Sequence, residues 1–306
     1  MVIKTSGIAI ISAAIGEGAR DGGCKFGASA LLQSGIADAL TSSGRFIVNS
    51  PIITADAMGA ENALDVVGRF SVELAYAVEA VMSRGGQALA LGGDHSCAIG
   101  TWSGMAKVLK PKGELGLIWI DAHLDAHTWE SSESKALHGM PLAALLGYGS
   151  KNLTDIYGWS GKLKAENTVV IGARSYELGE KALLDRLGVR VMYMDEVHKR
   201  GFEACFHDAK QRVARGTAGW GVSFDLDGLD PQDAPATGTP VEAGIRLEPA
   251  LRALASCRHD HDFVGLEIAE YNPLRDFGGQ TARAVQRLAV ACLGNTQPVT
   301  LSELSR

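Results

Sequence analysis

The chain reads as an α/β protein, a three-layer helix–sheet–helix sandwich around a mainly parallel eight-stranded sheet. Two patterns predict this. Short apolar runs alternate with longer helical stretches to the end of the 306 residues, and that alternation implies right-handed βαβ crossovers. Most of the runs are apolar at consecutive positions rather than every second one, as expected of parallel strands covered on both faces. A third observation sets the organisation: no Pro- or Ser-rich linker, repeat or low-complexity segment divides the chain. One domain over residues 1–306 is therefore expected.

The expected strands are Ile8–Ile11, Phe46–Val48, Ala88–Leu91, Leu115–Ile120, Thr168–Ile171, Val189–Met194, Gly221–Phe224 and Val264–Ile268. The first lies in an apolar run, Gly7 to Ile15, that follows Lys4 and superficially resembles a signal sequence. It is short, lacks a clear cleavage site and leads into a turn rich in glycine (Gly16, Gly18, Gly22, Gly23), so it reads as a buried strand. Helix-like stretches include Leu64–Met82 and Thr281–Leu293, with Thr281 as the expected N-cap of the second.

Composition narrows the function. A 46% hydrophobic and 21% charged content is ordinary for a globular chain with a substantial core. The net charge of −6 and the absence of a Lys/Arg-rich run argue against nucleic acid as a partner. A cationic small substrate fits the same charge, although solubility explains it equally well. No run approaches transmembrane length. Five scattered cysteines without paired spacing (Cys24, Cys97, Cys205, Cys257, Cys292) suit a reducing compartment, and the expected location is cytoplasmic.

Open α/β sheets bind ligands beyond the carboxyl ends of their strands. Four of the expected strands end in polar residues that can hold a metal. These ends read Gly92-Gly93-Asp94-His95-Ser96, Asp121-Ala122-His123-Leu124-Asp125, Asp225-Leu226-Asp227 and Ala269-Glu270. If the extended conformation persists past the strand, Asp121, His123 and Asp125 point to one side, and Asp225 and Asp227 share that spacing. One such motif alone is equally well read as acids at a strand exit. His95 alone is more often a hydrogen-bonded structural histidine, and Asp94 fits a helix N-cap. Their joint occurrence decides for metal, because clustered acids repel strongly unless a cation neutralises them.

The ligand set is then His95, Asp121, His123, Asp125, Asp225 and Asp227, four carboxylates and two imidazoles without a thiolate. Four negative charges match two divalent cations. Carboxylate-rich sites favour hard ions such as Mn²⁺, with Co²⁺, Ni²⁺ and Zn²⁺ open on affinity alone. Two ions about 3.5–4 Å apart lower the pKa of a shared water and set up a nucleophile near neutral pH.

The first two motifs, together with Ser223-Phe224-Asp225-Leu226-Asp227-Gly228-Leu229-Asp230-Pro231, closely resemble the three metal motifs of the arginase/agmatinase ureohydrolase family, in order and in separation. The resemblance runs from the first strand to the last helix. It implies a binuclear manganese hydrolase, with one ion held by His95, Asp121, Asp125 and Asp225 and the other by His123, Asp121, Asp225 and Asp227. Asp121 and Asp225 would bridge. His138-Gly139-Met140-Pro141 resembles the loop carrying a proton-transfer histidine, a role suited to an imidazole near neutrality. Glu270 resembles the glutamate that holds the substrate guanidinium, a planar cation well matched by a carboxylate. Asp125, His138 and Glu270 are thus the expected catalytic residues. Thr239, in Ala236-Thr237-Gly238-Thr239-Pro240, matches a substrate-side threonine. The implied reaction is cleavage of a guanidinium group to urea plus an amine, with L-arginine to L-ornithine as first choice, in a homo-oligomer (trimer or hexamer).

Five positions depart from the arginase pattern. Arginases usually hold the amino-acid carboxylate with an Asn after the Asp/His motif and a Ser-Gly-Asn before the shuttle histidine. Here those places read His127 and Ser134-Lys135-Ala136, so Ser134 survives while both amides are gone. Glu177 stands where the family has an Asp for the α-amino group, with Glu180 at a further acid, and the family's N-terminal Gly-Pro is Gly27-Ala28. Hydrolases of agmatine, a guanidino acid or formimidoylglutamate are the rival activities within the family. A fold-related deacetylase fits less well, since such enzymes use one zinc. A catalytically silent metal-binding relative is the rival from another class, and it has no chemical need for the intact ligands, His138 and Glu270.

Overall fold

The computed structural model describes residues 7–55 and 62–295. Lys4 and both ends of the expected 1–306 domain lie outside the described residues. Eight strands form one sheet: β1 (Ile8–Ala14), β2 (Ile47–Thr54), β3 (Gln87–Leu91), β4 (Leu115–Ile120), β5 (Leu163–Ile171), β6 (Arg190–Met192), β7 (Gly219–Asp225) and β8 (Phe263–Ala269). Their order is β2-β1-β3-β8-β7-β4-β5-β6, and every pairing is parallel.

Side chains alternate between the two faces along each strand. Ile8, Ile10, Leu89, Leu91, Ile118 and Ile120 join one core cluster, packed with helices Gly27–Gln33, Phe202–Val213, Leu247–Leu254 and Gln280–Leu293. Ile11, Ala13, Ala88, Leu117 and Trp119 join the other, with helices Ala63–Met82, Cys97–Leu109 and Pro141–Leu145. Both faces being apolar is why the strands read as unbroken hydrophobic runs, and it makes the three-layer sandwich.

The departures from the expected elements have local causes. The second strand runs on past Val48 to Thr54 through Pro51, at a register shift on the sheet edge, where a residue without an N–H is tolerated. The sixth strand stops at Met192 instead of Met194, because Met194 opens a helix, Met194–Arg200. The first half of β5 was not expected, since exposed Lys164 and Glu166 interrupt its apolar pattern. Thr281 does not cap the last helix. Gly279 occupies that position, and the Asp276 carboxylate accepts the free N–H groups of Thr281 and Ala282 at 3.2 and 2.9 Å. The Thr281 hydroxyl instead accepts from Ala236 N–H.

The four strands with metal-capable ends, β3, β8, β7 and β4, are consecutive in the middle of the sheet. Gly93 lets the ends of β1, β3 and β8 meet. Its carbonyl accepts Glu270 N–H at 2.8 Å, and a Cβ there would stand 1.9 Å from the Ile15 carbonyl oxygen. A side chain at this point must displace backbone, and overpacking of that kind typically costs about 1–3 kcal/mol or more. Gly93→Ala should lower the urea unfolding midpoint by at least that equivalent. A midpoint equal to the parent's would show that the junction is slack.

Candidate metal centre and substrate cleft

The six expected ligands gather at the carboxyl ends of the central strands. Donor atoms of His95, Asp121, Asp125 and Asp225 lie within 4.8 Å of one another, as do those of Asp121, His123 and Asp227. Asp121 is common to both groups, whereas Asp225 belongs only to the first, although the family resemblance implies that both bridge. The backbone does not stay extended after β4, contrary to the expectation from the alternating spacing. Asp125 takes a left-handed conformation (φ 49°) and turns toward His95, while His123 faces Asp227 at 3.2 Å. Glu270 is left-handed as well, at φ 66°. Such strain in non-glycine residues persists only where surrounding structure enforces it.

The donors are oriented from behind. His95 stacks on Trp119 with ring centroids 4.2 Å apart. Its Nε2 lies 3.0 Å from Ser223 Oγ, and Ser223 donates to Glu267, which also accepts from the Trp102 indole. With its hydroxyl proton directed to Glu267, Ser223 accepts from Nε2–H, which leaves the Nδ1 lone pair facing Asp121, Asp125 and Asp225 at 3.4, 2.9 and 3.0 Å. Trp119 Nε1 and His123 N–H donate to the two oxygens of Asp121. Thr239 donates to Asp227 Oδ2, and the Arg174 guanidinium donates to the carbonyls of Asp227, Gly228 and Leu229, stapling that loop.

Whether these residues suit a metal is decided by what they lack. His95 Nδ1 and Asp125 Oδ2 are buried without a hydrogen-bond partner, although they stand 2.9 Å apart. Burial, then the Asp227 and Asp121 charges, pushes the Asp225 carboxyl far above its usual range. Burial and Asp121 push Asp125 up to about 7. Unfilled lone pairs on a buried, crowded carboxylate–imidazole set fit divalent cations.

His138 lies on the wall of a cavity of about 140 Å³ that also includes His123, Asp125, His127, Asp225, Asp227 and Thr239. Its backbone N–H, with that of Leu137, donates to the Gly18 carbonyl, while Gly18 N–H donates to Asp94. Asp94 also accepts from Ser96 N–H, so it fastens the glycine-rich turn to the site and leaves the metal set to others. The His138 Nδ1 lies 3.0 Å from Glu270 Oε1. Burial alone would lower the His138 pKa, but the Glu270 hydrogen bond and charge, with Asp94 and Asp125, outweigh it and hold the imidazole at about 9. Glu270 is 1% exposed, accepts His95 N–H and Cys24 Sγ–H, and sits behind His138 rather than on the cavity wall.

The far end of the cavity holds the residues that depart from the family pattern. His127 Nε2 is 2.5 Å from Glu177 and 3.3 Å from Glu180, and its Nδ1 is 3.0 Å from Ser131 Oγ. Glu177 and Glu180 form a capping box at the start of helix Leu178–Leu187. Burial raises Glu180 to about 8, whereas the His127 hydrogen bond lowers Glu177. Ser134 Oγ accepts Ala136 N–H at 3.2 Å and borders the cavity. Lys135 points elsewhere, its Nζ donating to the Trp129 carbonyl. Among the described residues the lining includes Glu133, Glu177 and Glu180 and neither lysine nor arginine.

Sequence reasoning missed Glu267, Gly18 and Arg174. Glu267 left a trace, as the lone acid inside the apolar run Val264–Ile268. The other two act through backbone contacts made across 119 or more residues or across whole loops, which no local pattern encodes.

The Arginase family model matches residues 6–294. A Brevibacillus brevis protein named arginase is 43% identical over 232 residues, covering 76% of this chain and 77% of that one. The crystal structure of arginase from Bacillus cereus superposes with a TM-score of 0.89 at 36% identity, over 95% of this chain and 99% of the other. A formimidoylglutamase from Bacillus subtilis shares the fold (TM-score 0.75, 20% identity, 94% of this chain and 86% of that one). Among the described residues no helix is long and apolar enough to cross a membrane. Motifs, sheet order and these likenesses agree: the chain belongs to the arginase family and is a ureohydrolase of the arginase type.

Proposed function

We propose that this ureohydrolase holds two Mn²⁺ ions and cleaves L-arginine to L-ornithine and urea. The observation that carries the reading is the pair of donor groups sharing Asp121 at the floor of an acidic cleft. His95, Asp121, Asp125 and Asp225 would hold one ion, and Asp121, His123 and Asp227 the other, with Asp225 as a second bridge. When bound, such ions supply Lewis acidity and a nucleophile at neutral pH.

The chain's own residues do the rest. The Glu270 hydrogen bond and charge raise the His138 pKa, which suits it to deliver a proton to the leaving amine. Glu270 orients it through Nδ1, and the family resemblance also gives this carboxylate the guanidinium, although here it sits behind His138. His127, Glu177 and Glu180 form the acidic end that suits the substrate ammonium. Ser134 is the retained donor for its carboxylate, and Thr239 steadies Asp227 from the substrate side. The five cysteines are free and buried, which agrees with a reducing, cytoplasmic setting. A single domain and a homo-oligomer complete the reading.

One observation favours a second substrate. Among the described residues, the lining holds no asparagine, glutamine, lysine or arginine to meet the α-carboxylate, and a lost hydrogen bond to a charged group typically costs about 1.5–3 kcal/mol. Agmatine has the same guanidinium and ammonium without the carboxylate, so its disadvantage should be small here.

Three outcomes follow. With equal Mn²⁺ loading, kcat/KM for arginine should exceed that for agmatine and for guanidinobutyrate, with a high KM for arginine. Agmatine ahead of arginine would overturn the substrate while sparing the ureohydrolase chemistry. His138→Ala should lower kcat about 10²–10⁴-fold, whereas Glu270→Gln should raise KM as well; an unchanged kcat in the first variant would remove the proton-transfer role.

The third concerns metal and pH. In metal-free protein, Asp125 titrates near 7 when folded, against about 3.9 when unfolded. Its contribution to stability is therefore present below about 4 and lost as pH rises through 7. An ion takes the deprotonated carboxylate, so the rise in Tm on adding Mn²⁺ should be larger at pH 8 than at pH 6. Equal shifts at the two pH values would dissociate Asp125 from metal binding.

A further inference from the structure

A second cavity, of about 110 Å³, opens at the opposite edge of the sheet, beside Leu115 and Leu163 at the amino ends of β4 and β5. Its chemistry is the reverse of the cleft's. Lys110, Lys162 and Lys164 line it together with Trp159, and Glu114 is the one carboxylate in that lining. The Trp159 indole gathers the cations: Lys110 Nζ is 3.7 Å, Lys162 Nζ 4.6 Å and Lys107 Nζ 5.9 Å from its centroid.

Lys162 is unusual among them. It is 2% exposed, and its ammonium donates to the carbonyls of Thr154 and Trp159, which occupies two of three N–H groups. Burial pushes it down to about 8, Lys110 pushes the same way, and Asp155 opposes both. Lys110 follows the helix Cys97–Leu109, where a cation complements the helix dipole. That accounts for one lysine but gives no reason for three to converge on one hollow. Cation–π attraction to Trp159 offsets part of their repulsion, and Glu114 sets one negative charge against three lysines in the lining.

We propose that this cavity binds a tetrahedral oxyanion, sulfate- or phosphate-like, held by Lys110, Lys164 and the remaining N–H of Lys162. Lysine binds phosphate as a point charge, and a hollow of this volume admits one such group without a nucleoside. The oxyanion is either free or the terminal group of a larger phosphate ester. The site lies across the sheet from the metal centre and is independent of the substrate assignment.

The test is a titration of sodium sulfate into the full chain, at ionic strength fixed with sodium chloride, reading tryptophan emission and Tm. Sulfate is the probe because it does not precipitate Mn²⁺. Both signals should saturate in the millimolar range. Lys110→Ala/Lys164→Ala changes two exposed residues, so it should fold and bind at least ten-fold more weakly, with urea production unchanged. Trp159→Phe should lose the emission change and keep the Tm shift. Glycerol 3-phosphate binding more tightly than sulfate would mark a phosphate ester as the occupant, and equal binding a free anion. Signals that rise linearly without saturating, or an identical titration in the double variant, would overturn the site.

Discussion

Asp121, Asp125, Asp225 and Asp227 are each less than one-tenth exposed and crowd the ends of two neighbouring strands, β4 and β7. Two like charges 4 Å apart repel by about 4 kcal/mol at an effective dielectric constant of 20. Several such pairs would consume the whole stability of an ordinary domain, about 5–15 kcal/mol. His95 and His123 neutralise part of the charge when protonated, but then His95 loses the lone pair that faces the acids. Divalent cations resolve the conflict without protonating any donor. The rest of the molecule is arranged around that constraint. Parallel strands aim their carboxyl ends at one edge, left-handed Asp125 brings a fourth donor to His95, and the Glu267–Ser223 chain fixes the His95 tautomer.

The same economy governs the cleft. Gly18 and Asp94 tie the glycine-rich turn to the His138 loop, so His138 and the candidate metal donors share one scaffold. Glu270 links them again, taking His95 N–H and His138 Nδ1 on one oxygen. Movement of any of these groups is felt at the others. At the outer end, by contrast, Glu177 is exposed and held mainly by His127 and its capping box. The groups around the donor cluster are thus tied to one another, while the outer end, where the chain departs from the arginase pattern, is exposed. That asymmetry matches a chain that keeps every ligand yet departs from arginases at His127 and Ala136.

Much of this was legible beforehand, for physical reasons. Strands buried on both faces announce themselves as continuous apolar runs, which is why all eight were found and why the four polar, metal-capable ends fell on adjacent strands. Ends of elements were less legible. Met194 is as apolar as the strand before it, so nothing in composition marks where β6 yields to a helix. The alternating spacing of Asp121, His123 and Asp125 suggested one extended face, but the division into two donor groups depends on a left-handed turn that residue type does not reveal. His127 was flagged as a departure. Its tether to Glu177 and Glu180, some fifty residues on, emerged only from the fold.

The proposed chemistry rests on two cations neutralising one crowded floor. The direct measurement is metal content per chain in protein titrated with Mn²⁺, followed in parallel with urea release, for the parent and for Asp225→Ala. The account predicts that activity reaches its plateau at two ions per chain, and that the variant binds fewer ions and is nearly inactive. Full activity at one tightly bound ion per chain would contradict it.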